Sequence, residues 1–135
     1  MTTRRLDASS SAPSQARAFV AQELQAELGE LYEQSLCDDA LLLTSELVTN
    51  AVLHARTGVE LSVVTGMGAI HVEVSDDDPG VPRQRTADLD ALGGRGLALV
   101  AALAGDWGVR LAPPGKVVWF ELPLPKGRRV KRPRD

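Results

Sequence analysis

The apolar residues of this 135-residue chain switch from a helical to a strand period at Thr57-Gly58, and that switch decides which folds are open to it. Before it, Ala18, Val20, Ala21, Leu24, Leu28 and Leu31 recur at three- and four-residue intervals among Gln and Glu, the spacing of one helix face. A helix is therefore predicted from Ser14 to near Gly29, with the Ser9-Ser10-Ser11 run and Pro13 as its start signal. A second is predicted from about Leu36 to Ala55. After the switch, Val59, Leu61 and Val63 alternate with Glu60 and Ser62. Beyond Gly66-Met67-Gly68, Ile70, Val72 and Val74 alternate with His71, Glu73 and Ser75. This is a two-stranded hairpin with one wet face per strand.

Asp76-Asp77-Asp78-Pro79-Gly80-Val81-Pro82 cannot continue a strand, and residues 83–93 lack a clear period, so a long loop is expected there. Gly93-Gly94-Arg95-Gly96 then opens a third helix, Leu97–Ala104. Strands Trp107–Leu111 and Val117–Leu122 follow, around Pro113-Pro114-Gly115, and at most a short strand near Thr3–Asp7 precedes the first helix. No β-α-β alternation occurs. Hairpins plus helices imply an α+β two-layer sandwich, a mostly antiparallel sheet with three helices on one face. Aromatics are only 4% of the chain, so Leu, Val and Ala must build the core. Cys37 is the only cysteine, which excludes an internal disulfide and a Cys-based zinc site. The expected organisation is an N-terminal segment 1–13, one domain over 14–124, and a tail over 125–135.

The formal net charge of −3 hides a division. Lys126, Arg128, Arg129, Lys131, Arg132 and Arg134 against Asp135 give residues 126–135 a charge of +5, leaving −8 for the rest. An acidic body argues against nucleic acid as its main partner, because phosphate backbones are bound through clustered Lys and Arg. The short basic tail, rich in proline and glycine, reads as a solvated, disordered end. No apolar run approaches the ~18–20 residues of a membrane span, and no signal core follows Met1, so a cytoplasmic protein is expected.

Three stretches carry chemistry. On the second helix, Ala40, Leu43, Leu47 and Ala51 form the apolar face, and Glu46, Asn50 and His54 stack at i, i+4, i+8 along its border. A polar line there is either a solvated helix edge or a set of oxygen donors aimed into a cleft, the kind a hard cation such as Mg²⁺ takes. At Asp76-Asp77-Asp78-Pro79-Gly80 a strand ends in three acids, which is an ordinary exposed turn or an acceptor for a ligand amine such as that of adenine. At Gly94-Arg95-Gly96-Leu97 a helix start is a flexible hinge or an anion site, where unpaired N–H groups and the dipole favour phosphate.

Their order and spacing together resemble the GHKL ATPase superfamily, which includes the catalytic domain of histidine kinases. The closest likeness is to its small bacterial branch of anti-sigma-factor serine/threonine kinases. Thr44-Ser45-Glu46-Leu47-Val48-Thr49-Asn50-Ala51-Val52-Leu53-His54-Ala55 is similar to that branch's N box, Asp76 to Gly80 to its D-x-G-x-G box, and Gly94-Arg95-Gly96-Leu97 to its second glycine box. Gly115-Lys116-Val117-Val118-Trp119-Phe120-Glu121-Leu122-Pro123 resembles the closing strand.

The resemblance implies ATP and Mg²⁺ as ligands. Asn50 would contact the Mg²⁺ that bridges the phosphates, and Glu46 would be the catalytic base. Asp76 would take the adenine amine, Gly80 would shape its pocket, and Gly94, Arg95, Gly96 and Leu97 would lie at the phosphates, with residues 81–93 as lid. Two positions depart from the pattern: Asp78 stands at the box's first glycine, and Val117 stands where many members have a threonine. The partners implied are a sigma factor, an anti-sigma-factor antagonist, or both, and a homodimer is implied because relatives are often dimers. The alternative is a non-catalytic module that binds such a partner with weak or no ATP binding.

Overall fold

The computed structural model describes residues 1–54, 58–77, 100 and 102–125. Strand β1 (Thr2–Leu6) leads into helix α1 (Ala12–Leu28), a single 3₁₀ turn (Gly29–Leu31) and helix α2 (Gln34–His54). Strands β2 (Val59–Gly66), β3 (Ala69–Asp76), β4 (Asp106–Ala112) and β5 (Gly115–Pro123) follow. They form one five-stranded sheet in the order β1-β2-β3-β5-β4, antiparallel at every pairing. The expected α+β sandwich is present.

The local signals act much as their chemistry demands. Ser11 is the N-cap of α1 and Pro13 lies in its first turn, but the Ser11 hydroxyl makes no capping bond and instead accepts from the Gln15 amide at 2.9 Å. The Gly66–Ala69 pair closes a two-residue turn in which Met67 and Gly68 both have positive φ, as the primed hairpin turns that match strand twist require.

Two helices are described whole, against the three expected. Of the third, residues 100, 102 and 103 are helical, and Ala104 N–H donates to Val100 O at 2.8 Å; its start lies outside the described residues. The 3₁₀ turn at Gly29–Leu31 has no counterpart in the periodicity. The N-terminal segment supplies an edge strand with full register, from Thr2 opposite Val63 to Leu6 opposite Val59.

Alternation along β3 and β5 separates two faces. Ile70, Val72 and Val74 pair with Leu122, Phe120 and Val118 and face the helices; with Leu24, Leu43, Val48, Leu61 and Val100 they form the core. Cys37 is buried in the same core.

The other face carries His71, Glu73, Trp119, Glu121 and Arg110. The His71 ring nitrogens lie 2.8 Å from a Glu121 oxygen and 2.8 Å from a Glu73 oxygen, and the ring stacks on Trp119 with centroids 5.5 Å apart. Arg110 of β4 reaches Glu73 at 3.2 Å. Burial alone would lower the His71 pKa, but hydrogen bonds to Glu73 and Glu121 outweigh it, and the pKa sits above its ordinary 6.5. Burial likewise opposes ionisation of Glu73, yet His71 and Arg110 hold its pKa below the ordinary 4.5.

A raised histidine contributes stability that is complete below pH 6.5 and is lost as pH rises through its folded value. A lowered glutamate contributes above pH 4.5 and loses its share as pH falls through its folded value. Both contributions are complete between those limits. The stability advantage of the wild type over His71→Phe is therefore expected to be largest at pH 5–6 and to shrink by pH 8.5, as followed by urea midpoints. An advantage that grew with pH would contradict this assignment.

Candidate functional site

Helix α2 is amphipathic by spacing, and the structure turns it accordingly. Ala40, Leu43, Leu47 and Ala51 are buried, and Glu46 and Asn50 lie half-buried one turn apart on the border of that face. Ser45, between them and Thr44, accepts a hydrogen bond from Arg17 of α1 at 3.0 Å, which ties the two helices together at this segment. Thr44 is fully buried and its hydroxyl has no partner among the described residues, a local cost of ~1–3 kcal/mol carried in the same turn.

Connectivity ties the C-terminal end of α2 to the end of the sheet where Asp76 sits. Val59, whose Cα partner is Asp76, follows His54 by five residues, a span the chain bridges with at most ~18 Å. Asn50 and Glu46 lie only about 6 and 12 Å back along the helix axis from His54.

Asp76 is the last residue of β3 and points toward the helices, in line with Val72 and Val74. Its side chain is only 3% exposed, which for a carboxylate demands a partner. Lys116 supplies one: its Nζ donates to Oδ1 at 3.4 Å and lies 3.3 Å from Oδ2, with 13% of the lysine side chain exposed. The two residues are Cα partners across β3 and β5. Gly115 presses on the same corner: a Cβ there would lie 1.7 Å from the Asp76 carbonyl oxygen and 2.7 Å from Asp77 Cα. Only glycine allows this approach, for reasons of space.

The pairing relocates one departure noted above. Val117 is the Cα partner of Ser75, so by strand alternation it faces away from Asp76. The position of the closing strand that reaches Asp76 is 116, and periodicity does not single out Lys116. A basic residue facing an acidic strand end was a visible signal, but only the register shows that they meet.

Gly80, Gly94, Arg95, Gly96 and Leu97, with Asp78 and the expected lid, lie outside the described residues. So does the basic stretch 126–135. Among the described residues, no helix is long and apolar enough to cross a membrane.

The donor set suits a nucleotide. A nearly dry, charge-paired carboxylate at a strand end can accept from a base amine. A half-buried amide oxygen on α2 suits Mg²⁺, which takes one or two protein oxygens and completes its shell with water and phosphate. Glu46 lies one turn earlier on the same border.

Comparison with known proteins agrees. Residues 8–122 match the family model of the histidine kinase-like ATPase domain. The sensor protein kinase CarS of Pseudomonas aeruginosa is 36% identical over 110 residues, covering 70% of this chain. This chain spans only 25% of that kinase. Among solved structures, that of the RsbU and RsbW domains of a Mycobacterium tuberculosis protein aligns with a TM-score of 0.65 at 23% identity, over 92% of this chain and 33% of the other. The histidine kinase domain of a blue-light activated kinase from Erythrobacter litoralis aligns at 0.57 and 24% identity, over 81% of this chain and 61% of that one. These structural likenesses carry the fold alone. With the family model spanning both helices and nearly all of β2 to β5, this chain belongs to the histidine kinase-like ATPase domain family.

Proposed function

We propose that the chain is an ATP-binding regulator that resembles the anti-sigma-factor serine/threonine kinases. In this reading it transfers the γ-phosphoryl group of ATP to a serine on an anti-sigma-factor antagonist and sequesters a sigma factor. The observation that supports the nucleotide part is Asp76, a carboxylate 3% exposed at a strand end. The similarity of residues 44–55 to the N box of that branch supports the regulatory part, on a fold shared with a solved structure that contains an RsbW domain.

Phosphoryl transfer asks a protein mainly for positioning and charge neutralisation. Mg²⁺ supplies the neutralisation when bound. Asn50 would hold that ion through its amide oxygen, Asp76 would orient the base, and Glu46 would accept the proton of the attacking hydroxyl. The resemblance assigns Gly80 to the base pocket and Gly94, Arg95, Gly96 and Leu97 to the phosphate side; all five lie outside the described residues.

Titration of the full chain with Mg²⁺–ATP in a calorimeter tests the nucleotide reading. Saturable binding below millimolar nucleotide is the expected result, and no heat at millimolar ATP rejects it in favour of a non-catalytic partner-binding module. The 36% identity to a sensor kinase favours a second reading, in which the acceptor is a histidine. Acid treatment of the phosphorylated partner separates the two, since phosphoserine survives it and phosphohistidine does not.

A further inference from the structure

We infer that Lys116 is a second base-reading residue, one that works beside Asp76 and rests on the nucleotide reading above. Lys116 and Asp76 are Cα partners across β3 and β5, and their head groups lie 3.3–3.4 Å apart on the helix-facing side of the sheet. The pair sets a donor-only group next to an acceptor-only group. A 6-aminopurine carries the complement along one edge: the amino group donates, and the adjacent ring nitrogen N1 accepts. Asp76 takes the amine, and the Lys116 ammonium donates to N1.

Three features make the pair a reader as well as a brace. An ammonium carries three N–H donors and a carboxylate several lone-pair sites, so a ligand edge can join the pair, or exchange with another partner, without breaking it. Both side chains are withdrawn from water, at 13% and 3% exposure, where a charge-assisted hydrogen bond discriminates more strongly than at an open surface. Gly115 packs on the Asp76–Asp77 backbone so closely that a Cβ would meet it at 1.7 Å, which fixes the start of β5, and with it Lys116, against the acidic strand end.

The test compares Mg²⁺–ATP with Mg²⁺–1-deaza-ATP, which keeps the amine and replaces N1 by C–H, by calorimetry on the full chain. Wild-type protein is expected to bind the 1-deaza nucleotide about 10- to 100-fold more weakly, the scale of one hydrogen bond to a charged group. In Lys116→Met, ATP binds more weakly and the difference between the two nucleotides disappears. A purely structural ion pair would lower both affinities and leave their ratio unchanged. The wild-type arm decides the matter even if the variant fails to fold, and Lys116→Arg, which keeps a donor, is expected to retain the discrimination. Equal wild-type affinity for the two nucleotides overturns the role of Lys116 and leaves the nucleotide reading standing. No binding of ATP at all overturns that reading and this inference with it.

Discussion

Glu46→Gln is expected to leave Mg²⁺–ATP binding within about twofold of wild type and to slow phosphoryl transfer by about 10²- to 10⁴-fold, the usual worth of a positioned general base. The residue lies half-buried on α2, one turn before Asn50. Glutamine keeps the size and the hydrogen-bonding reach of the side chain and removes only its capacity to take a proton. Binding by calorimetry and transfer of labelled phosphate to the partner therefore report separate things. A variant that transferred at the wild-type rate would end the catalytic assignment of Glu46, and one that lost ATP binding would make Glu46 a structural or ligand-holding residue instead.

Gly115→Val is expected to weaken ATP binding more than tenfold and to lower stability by about 1–3 kcal/mol, the range for forcing extra methyl groups into packed surroundings. The contact that a side chain would meet is backbone: the Asp76 carbonyl at 1.7 Å, its carbon at 2.6 Å and Asp77 Cα at 2.7 Å. A flexible side chain could swing aside. Backbone at the end of a paired strand moves only if β3 and β5 separate there, and that displaces Asp76 and Lys116 together. Urea unfolding and ATP titration of the same preparation check both effects. Unchanged values in the Val variant would mean that this close approach is dispensable, and with it the idea that β5 locks the acidic strand end in place.

Elements whose signal is local were legible in the residues. Helix α2 announces itself through Ala40, Leu43, Leu47 and Ala51, and the structure buries all four while leaving Glu46 and Asn50 half-exposed at the border. The hairpin turn at Met67-Gly68 was readable because its glycines and the alternation on both sides agree. Harder to read was β1, five residues long with only Leu6 fully buried, whose identity as a strand depends on pairing with β2 some sixty positions later. The outer-face cluster was also hidden. His71 and Glu121 are fifty residues apart, and neither looks different from an ordinary wet strand position until the register sets them 2.8 Å from each other.

Periodicity, turn chemistry and composition by themselves determined an α+β sandwich, because helix faces, strand faces and turns are set by residues within one or two turns of each other; Glu46, Asn50 and Asp76 were singled out only by the joint resemblance of their motifs to one family. Strand order belongs to another class of information. That β5 lies between β3 and β4 depends on which hydrophobic faces can be covered at once, a condition on the whole chain. From that order follow the partnership of Lys116 with Asp76, the turning of Val117 to the opposite face, and the seating of Gly115 on the acidic strand end. A one-residue slip of β5 would exchange 116 for 117 and remove the ion pair, because side chains alternate with a period of two. Only the tertiary structure could decide that register.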